Sequence, residues 1–405
     1  MAALQRPLEG LRVLDLTRLL PGPYATLLLA DLGADVVRVE DPGDSDFVRW
    51  MPPAYEDKTG GPAVGALFLA LNRNKRSVVL DLKKPGGKET FLRLVEKADV
   101  VVEGFRPGVM NRLGIGWDVL QRSNPRVSLC SMSGWGQDGP YAQRAGHDLG
   151  YIAIAGLLGV GGLKDGAPAI PGVPIGDLAS SLTAVSSILA ALLGRERAGA
   201  AGKGVFIDVS MYDAAAALML LHYSSLLAGG PMSRGDVALT GRDANYRVYK
   251  TSDGKWLSVA NLEPKFWKRF VEVIARPDLA NAAMESQVDP AARAKLHVEL
   301  EKLFLTATRD EWMRRVEPAD CCIEPVLEGA EVLDHPHAKA RGAVATMDDP
   351  KLGPVKVLRT PLRPFATDMP LTPAPKAGEH SETILREAGF TAPEIQRLRE
   401  SGVLG

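Results

Sequence analysis

His147 and Asp177 are the residues in this sequence best suited to moving a proton. Gly146-His147-Asp148 precedes an apolar run, Leu149 to Leu158, that reads as a helix, and a helix start favours an imidazole in its neutral, basic form. Asp177 follows Pro174-Ile175-Gly176 at the head of a second apolar helix. Each residue also has a plain structural reading, since Asp is a preferred N-cap and a single histidine beside an apolar helix is usually packed for structure. A second constellation is cationic. Asn72-Arg73-Asn74-Lys75-Arg76 runs into a strand at Ser77 to Leu82, and Arg106 follows the strand Val100 to Glu103. Arg18 lies just past the first strand and Arg38 within the second. Four loops or strand edges could thus bring cations to one crevice and hold a phosphate, the alternative being solvated loops.

Several other chemistries fail on spacing. A dinucleotide turn needs Gly-x-Gly-x-x-Gly after the first strand, but the turn reads Thr17-Arg18-Leu19-Leu20-Pro21-Gly22-Pro23, so Glu40 is no ribose ligand. No phosphate loop of the Gly-x-x-x-x-Gly-Lys kind occurs, and Ser133 is not in a nucleophile elbow. His335-Pro336-His337 is the one close histidine pair and has no Cys or carboxylate at metal spacing, so no metal is expected. Lys and Arg total 48 against 49 Asp and Glu, a net charge of −1, so neither nucleic acid nor an anionic membrane is an expected partner. Three cysteines in 405 residues make no disulfide framework, and Met1 to Arg12 has no apolar stretch of signal-peptide length, so a cytoplasmic location is expected.

The elements that must position these residues alternate. Candidate strands at Arg12 to Leu16, Asp35 to Val39, Ser77 to Leu82, Asp99 to Val102 and Arg126 to Met132 are separated by helical patterns, as in a parallel sheet covered by helices. The most apolar window, Val209 to Ala228, contains Asp213 and His222 and reads as a buried helix, not a membrane span. Beyond it the texture changes: Ser252-Asp253-Gly254 marks a hairpin and Thr308-x-x-Glu311 a capping box. The expected fold is α/β, a Rossmann-like large domain from residues 1–224 completed by 330–405, with a smaller α+β domain at 225–329.

Several blocks, in order, carry a resemblance to a known family. Asp15-Leu16-Thr17-Arg18, Leu29 to Val37, Asn74-Lys75-Arg76-Ser77, Glu103 to Gly108, Ser133 to Tyr141 and Gly202-Lys203-Gly204 resemble the family III CoA transferases and the related α-methylacyl-CoA racemases (the CaiB/BaiF group). The likeness implies an acyl-CoA substrate, no metal or further cofactor, and an interlocked homodimer. In transferases the aspartate matching Asp177 is the nucleophile that becomes an acyl anhydride and then a CoA thioester. Racemases pair it with a histidine in a Gly-His-Asp block and add an acidic residue from the partner subunit, here matched by His147 and Glu263. The resemblance further implies an enolate held by the Asp148 backbone N–H, and CoA lying along Arg18, Arg38, Arg73, Lys75, Arg76 and Arg106. Racemisation at C2 of a branched acyl-CoA is the expected activity. The glycine-rich Gly159-Val160-Gly161-Gly162, also seen in transferases, keeps CoA transfer as the alternative.

Overall fold

The computed structural model describes residues 6–43, 46–362, 365 and 371–405. Met1 to Gln5, part of the segment read for a signal peptide, lie outside them. Short runs rich in Val and Leu form six strands: β1 (Arg12–Leu16), β2 (Asp35–Glu40), β3 (Arg76–Val79), β4 (Val100–Glu103), β5 (Ser128–Ser133) and β6 (Phe206–Ser210). All pair in parallel, in the order β3-β2-β1-β4-β5-β6. This is the strand order of doubly wound nucleotide-binding sheets, and it reverses direction between β1 and β4. The first five match the expected strands to within a few residues. The sixth escaped the sequence reading because Phe206-Ile207-Asp208-Val209-Ser210 is an edge strand with polar alternation, running straight into an apolar helix.

Alternate side chains feed two cores. Val13, Val36, Val100, Val102, Cys130 and Met132 pack beneath α1 (Pro21–Asp31) and, numbering onward, α5 (Ile175–Arg197). Leu14, Val37, Val101 and Leu129 pack beneath α2 (Gly87–Val95), α3 (Trp117–Ser123) and the C-terminal helices Ser381–Glu387 and Ala392–Glu400. The short α4 (Asp148–Ile154) completes the set that matters for the site. Pro at the start of α1 and Gly33 just past its end, with φ of +100°, bound the first crossover as the sequence leads one to expect.

The chain forms two compact units, Met1–Ala155 with Val173–Leu218 and Pro336–Gly405, and Gly156–Gly172 with Met219–His335. The sequence reading set its boundaries at 224 and 329; contacts set them at 218 and 335. Contacts also place 156–172 in the second unit, because Val160 packs with Met219 and Val237, Gly235 N–H donates to the Val160 carbonyl at 3.2 Å, and Lys164 pairs with Asp236 at 2.8 Å. That unit holds an antiparallel three-stranded sheet, Ile323–Pro325, Trp256–Ala260 and Tyr246–Lys250, joined by the expected Asp253-Gly254 turn, and a helix Arg309–Val316 with the expected capping box.

The window Val209 to Ala228 needs correction. It contains the end of β6 and two helices, Met211–Leu218 and Leu220–Leu227, and the second of these buries no residue within the chain. Among the described residues one helix, α5, is long and apolar enough to cross a membrane; its Ala184, Ile188 and Leu192 belong to the sheet core, and Asp177 lies in its first turn.

Candidate active site

The site forms where the sheet order reverses. The turn after β1 is held from below: Thr17 donates to Asp15 Oδ1 through N–H and hydroxyl at 2.9 and 2.5 Å, and Thr26 Oγ1 donates to Oδ2 at 2.6 Å. Lys75 Nζ joins Asp15, Thr26 Oγ1 and the Pro23 carbonyl at 3.3, 2.7 and 2.9 Å. Burial pushes the Asp15 carboxyl up, and the charges of Lys75 and Arg38 more than offset this and hold it low; burial lowers the Lys75 ammonium to about 8 against the pull of Asp15. Gly22 is required here, because a Cβ would strike the Thr17 side chain.

Two cavities flank this turn. One, about 220 Å³, is lined by Thr17, Arg18, Arg38, Asp41, Lys83 and Phe105 among others. The second, about 400 Å³, is lined by Leu19, Arg106, Ser133, His147, Asp148, Tyr151 and Asp177. Leu19 bridges the loop between them in a left-handed conformation, φ +67°, with its N–H donated to Asp46 at 3.2 Å.

The six cations expected in one crevice fall into different settings. Arg18 and Arg106 are exposed at the cavity walls. Arg38 lines the smaller cavity but is buried, donating to Asn72 at 2.6 Å and to Asp46 at 3.4 Å. Arg73 is fully buried in a two-bonded pair with Asp31 at 2.5 and 2.6 Å, Lys75 is under the β1 turn, and Arg76 joins Asp35 and Glu387. The last three leave the phosphate set. Arg73 and Lys75 precede β3 and Arg76 is its first residue, so all three lie at the amino edge of the sheet, whereas Arg106 follows β4 and emerges at the carboxyl edge where ligand loops gather. Lys83, absent from the sequence reading, lines the smaller cavity; the signal for it is a Lys just beyond the end of the β3 segment.

His147 is the residue before α4, exposed at the larger cavity, and Asp177 lies in the first turn of α5, half-buried. Asp148 ties the two helices, its Oδ1 accepting the Asp177 backbone N–H at 3.0 Å. Burial first, then the Asp148 charge, pushes the Asp177 carboxyl up to about 6, with His147 acting the other way. Tyr151, one helical turn after His147, was missed in the sequence; the i, i+4 spacing is the signal that could have found it. Its ring meets Trp135 edge-on at 4.9 Å, and its hydroxyl is pushed up to about 12 by burial and then by Asp177 and Asp148. The ring explains two glycines. A Cβ on Gly134 would strike the Tyr151 hydroxyl, and one on Gly146 would sit 2.6 Å from its ring. The Gly before His147 is therefore a close-approach position. Glu263 lies in the second unit, exposed at the start of the helix Pro264–Val273, and after burial its charge is the main influence raising the neighbouring Cys322 thiol.

The arrangement can bind a long anionic ligand at one cavity and exchange protons at the other. Comparison with known proteins places the chain in a family. Residues 8–381 match the family model described as CoA-transferase family III. The chain is 34% identical over 403 residues to human alpha-methylacyl-CoA racemase, covering 98% of this chain and 97% of that one. It is 32% identical over 404 residues to mouse succinyl-CoA:glutarate CoA-transferase, covering 98% and 90%. The crystal structure of a CAIB/BAIF family protein from Brucella suis superposes with a TM-score of 0.78 at 32% identity, covering 94% of this chain and 99% of that one.

Proposed function

The chain belongs to CoA-transferase family III, and from that premise we propose that it racemises C2 of a branched acyl-CoA thioester. The observation that carries this reading is the pairing of His147 with Asp177 in one cavity, with the Asp177 carboxyl raised to about 6. A C2 racemase takes a proton from one face and returns one on the other, so it needs two groups of similar basicity. In water a carboxyl near ~3.9 and an imidazole near ~6.5 are badly matched. Burial of Asp177 raises its carboxyl to about 6, and a protonated carboxyl becomes an accessible resting form.

In this mechanism His147 or Asp177 removes the C2 proton, the electron pair moves into the enolate, and the other residue delivers a proton to the opposite face. The Asp148 N–H faces the developing enolate oxygen, and Glu263 of the partner subunit supports His147. The adenosine phosphate end of CoA lies in the smaller cavity beside Arg18 and Lys83, and Arg106 takes a phosphate between the cavities. No metal or redox cofactor takes part. The protein acts in the cytoplasm. CoA transfer through an aspartyl thioester on Asp177 is the second reading, favoured by a transferase relative at nearly the same identity.

The test is proton NMR of each pure 2-methylacyl-CoA enantiomer in deuterium oxide, with and without an acid acceptor. Wild type is expected to exchange C2 without acceptor. His147→Ala and Asp177→Ala are each expected to abolish racemisation while retaining slow exchange of opposite enantiomers. Racemisation at the wild-type rate in either variant ends the two-base reading. Acceptor-dependent turnover in His147→Ala, with no C2 exchange in wild type, assigns the protein to transfer.

A further inference from the structure

Ser133 ends β5 and is 5% exposed, and its hydroxyl has no hydrogen-bond partner among the described residues. It lines the same cavity as His147 and Asp177. The serines around it are all engaged. Ser131 bonds Glu103, Ser210 Oγ accepts the Asp213 N–H at 3.0 Å, and Ser180 and Ser181 donate to the Asp177 carbonyl at 2.7 and 2.9 Å. Trp135 Nε1 is also buried and without a partner among the described residues, but Gly146 is packed against it, within 3.1 Å of where a Cβ would be. Ser133 thus combines a buried hydroxyl that no described residue satisfies with a place in the lining of a reaction cavity. A buried hydroxyl kept without a protein partner is destabilising unless a ligand or water completes it.

We propose that Ser133 is a further catalytic residue whose Oγ–H donates to the thioester carbonyl oxygen of a bound acyl-CoA. This rests on the acyl-CoA reading above and holds for both of its chemistries. In racemisation the C2–H bond breaks, the proton goes to His147 or Asp177, and the C–H electron pair forms C1=C2 while the carbonyl π pair moves onto oxygen. In transfer, Asp177 attacks C1, the π pair moves onto the same oxygen, and its return expels CoA as thiolate. Either way the charge develops on one atom, and a donor placed beforehand stabilises it more than it stabilises the ground-state carbonyl.

The experiment compares wild type, Ser133→Ala, Ser133→Cys and Ser133→Thr in C2 exchange and acceptor-dependent transfer. An S-alkyl-CoA thioether, which lacks the carbonyl oxygen, is titrated by calorimetry in parallel. Ser133→Ala is expected to lose kcat by roughly 10²-fold with little change in KM. Ser133→Thr restores most of it, and thioether affinity stays within about twofold of wild type because that ligand offers Ser133 nothing to bind. If Ser133→Ala fails to bind the thioether, it has lost its fold, and Ser133→Cys, close in size but a weak donor, carries the test with the same expected loss. Wild-type kcat in a folded Ala or Cys variant overturns the role of Ser133 alone. A wild type inert towards every thioester, with or without acceptor, overturns the acyl-CoA reading and this role with it.

Discussion

Arg73 and Arg106 have the same side chain in opposite settings, one buried and one exposed on a cavity wall. Arg73 has lost all contact with water, and Asp31, Asn74 and Thr360 close a network around the shared carboxylate. Removing one partner of such a pair leaves a buried charge alone. Arg73→Leu is therefore expected to destabilise the protein by about 3–5 kcal/mol in denaturant unfolding, while the surviving folded protein binds CoA as before. Arg106 is exposed on the cavity wall, so Arg106→Ala is expected to unfold at the wild-type denaturant concentration and weaken CoA roughly 10- to 100-fold by calorimetry. Arg106→Lys recovers part of that loss, a point charge replacing a two-pronged donor. The reverse pattern would return Arg73 to the ligand and make Arg106 a surface residue. Residue type and proximity to a strand made both look alike in the sequence; burial and the sheet edge they emerge from are properties of the fold.

At the scale of elements, three neighbouring strands carry a row of polar side chains towards their carboxyl ends: Glu103 on β4, Ser131 on β5 and Asp208 on β6 lie side by side in register. Glu103 accepts the Phe105 N–H at 2.7 Å, fixing the loop that carries Arg106, and Asp208 accepts the Gln137 N–H at 3.0 Å, fixing the loop that carries Trp135. Burial pushes the Glu103 carboxyl up to about 7 against its hydrogen bonds from Ser131 and Phe105, and the Asp208 charge adds to the rise. The unfolded chain releases this proton from about pH 4.5 and the folded chain keeps it to about 7, so stability falls as pH rises through that window and levels off above it. Glu103→Gln keeps an acceptor for Phe105 and has no proton to lose. Its stability relative to wild type is expected to rise by about 2–3 kcal/mol between pH 4 and pH 8 in urea unfolding. Parallel pH profiles for the two proteins would mean that Glu103 titrates as in water. The strands themselves were legible from apolar runs such as Val100-Val101-Val102, and α1 from Pro21 and Gly33. The polar row across them was not, because it depends on register between strands separated by dozens of residues, and β6 was not seen at all.

The whole molecule shows a surplus of apolar surface. Leu182 and Leu193 on α5 are 53% and 54% exposed, and Leu220 and Leu227 on the helix that buries nothing are 72% and 88% exposed. Exposed apolar side chains of this kind suit association with another chain, and a homodimer is what the family resemblance implies. Sedimentation at micromolar concentration is expected to give twice the chain mass, and a monomer there would refute it. The discontinuity of the first unit has a consequence for how the chain is made. Strand β3 is completed only by the far end of the sequence. Ser77 N–H bonds His380 across 303 residues, the Val403 carbonyl accepts the Asp81 N–H, and Leu80 bridges Leu404. While the ribosome is still producing the second unit, the outermost strand of the sheet waits with its edge open. The nascent protein thus carries an unpaired strand edge until His380, 303 residues after Ser77, has been made.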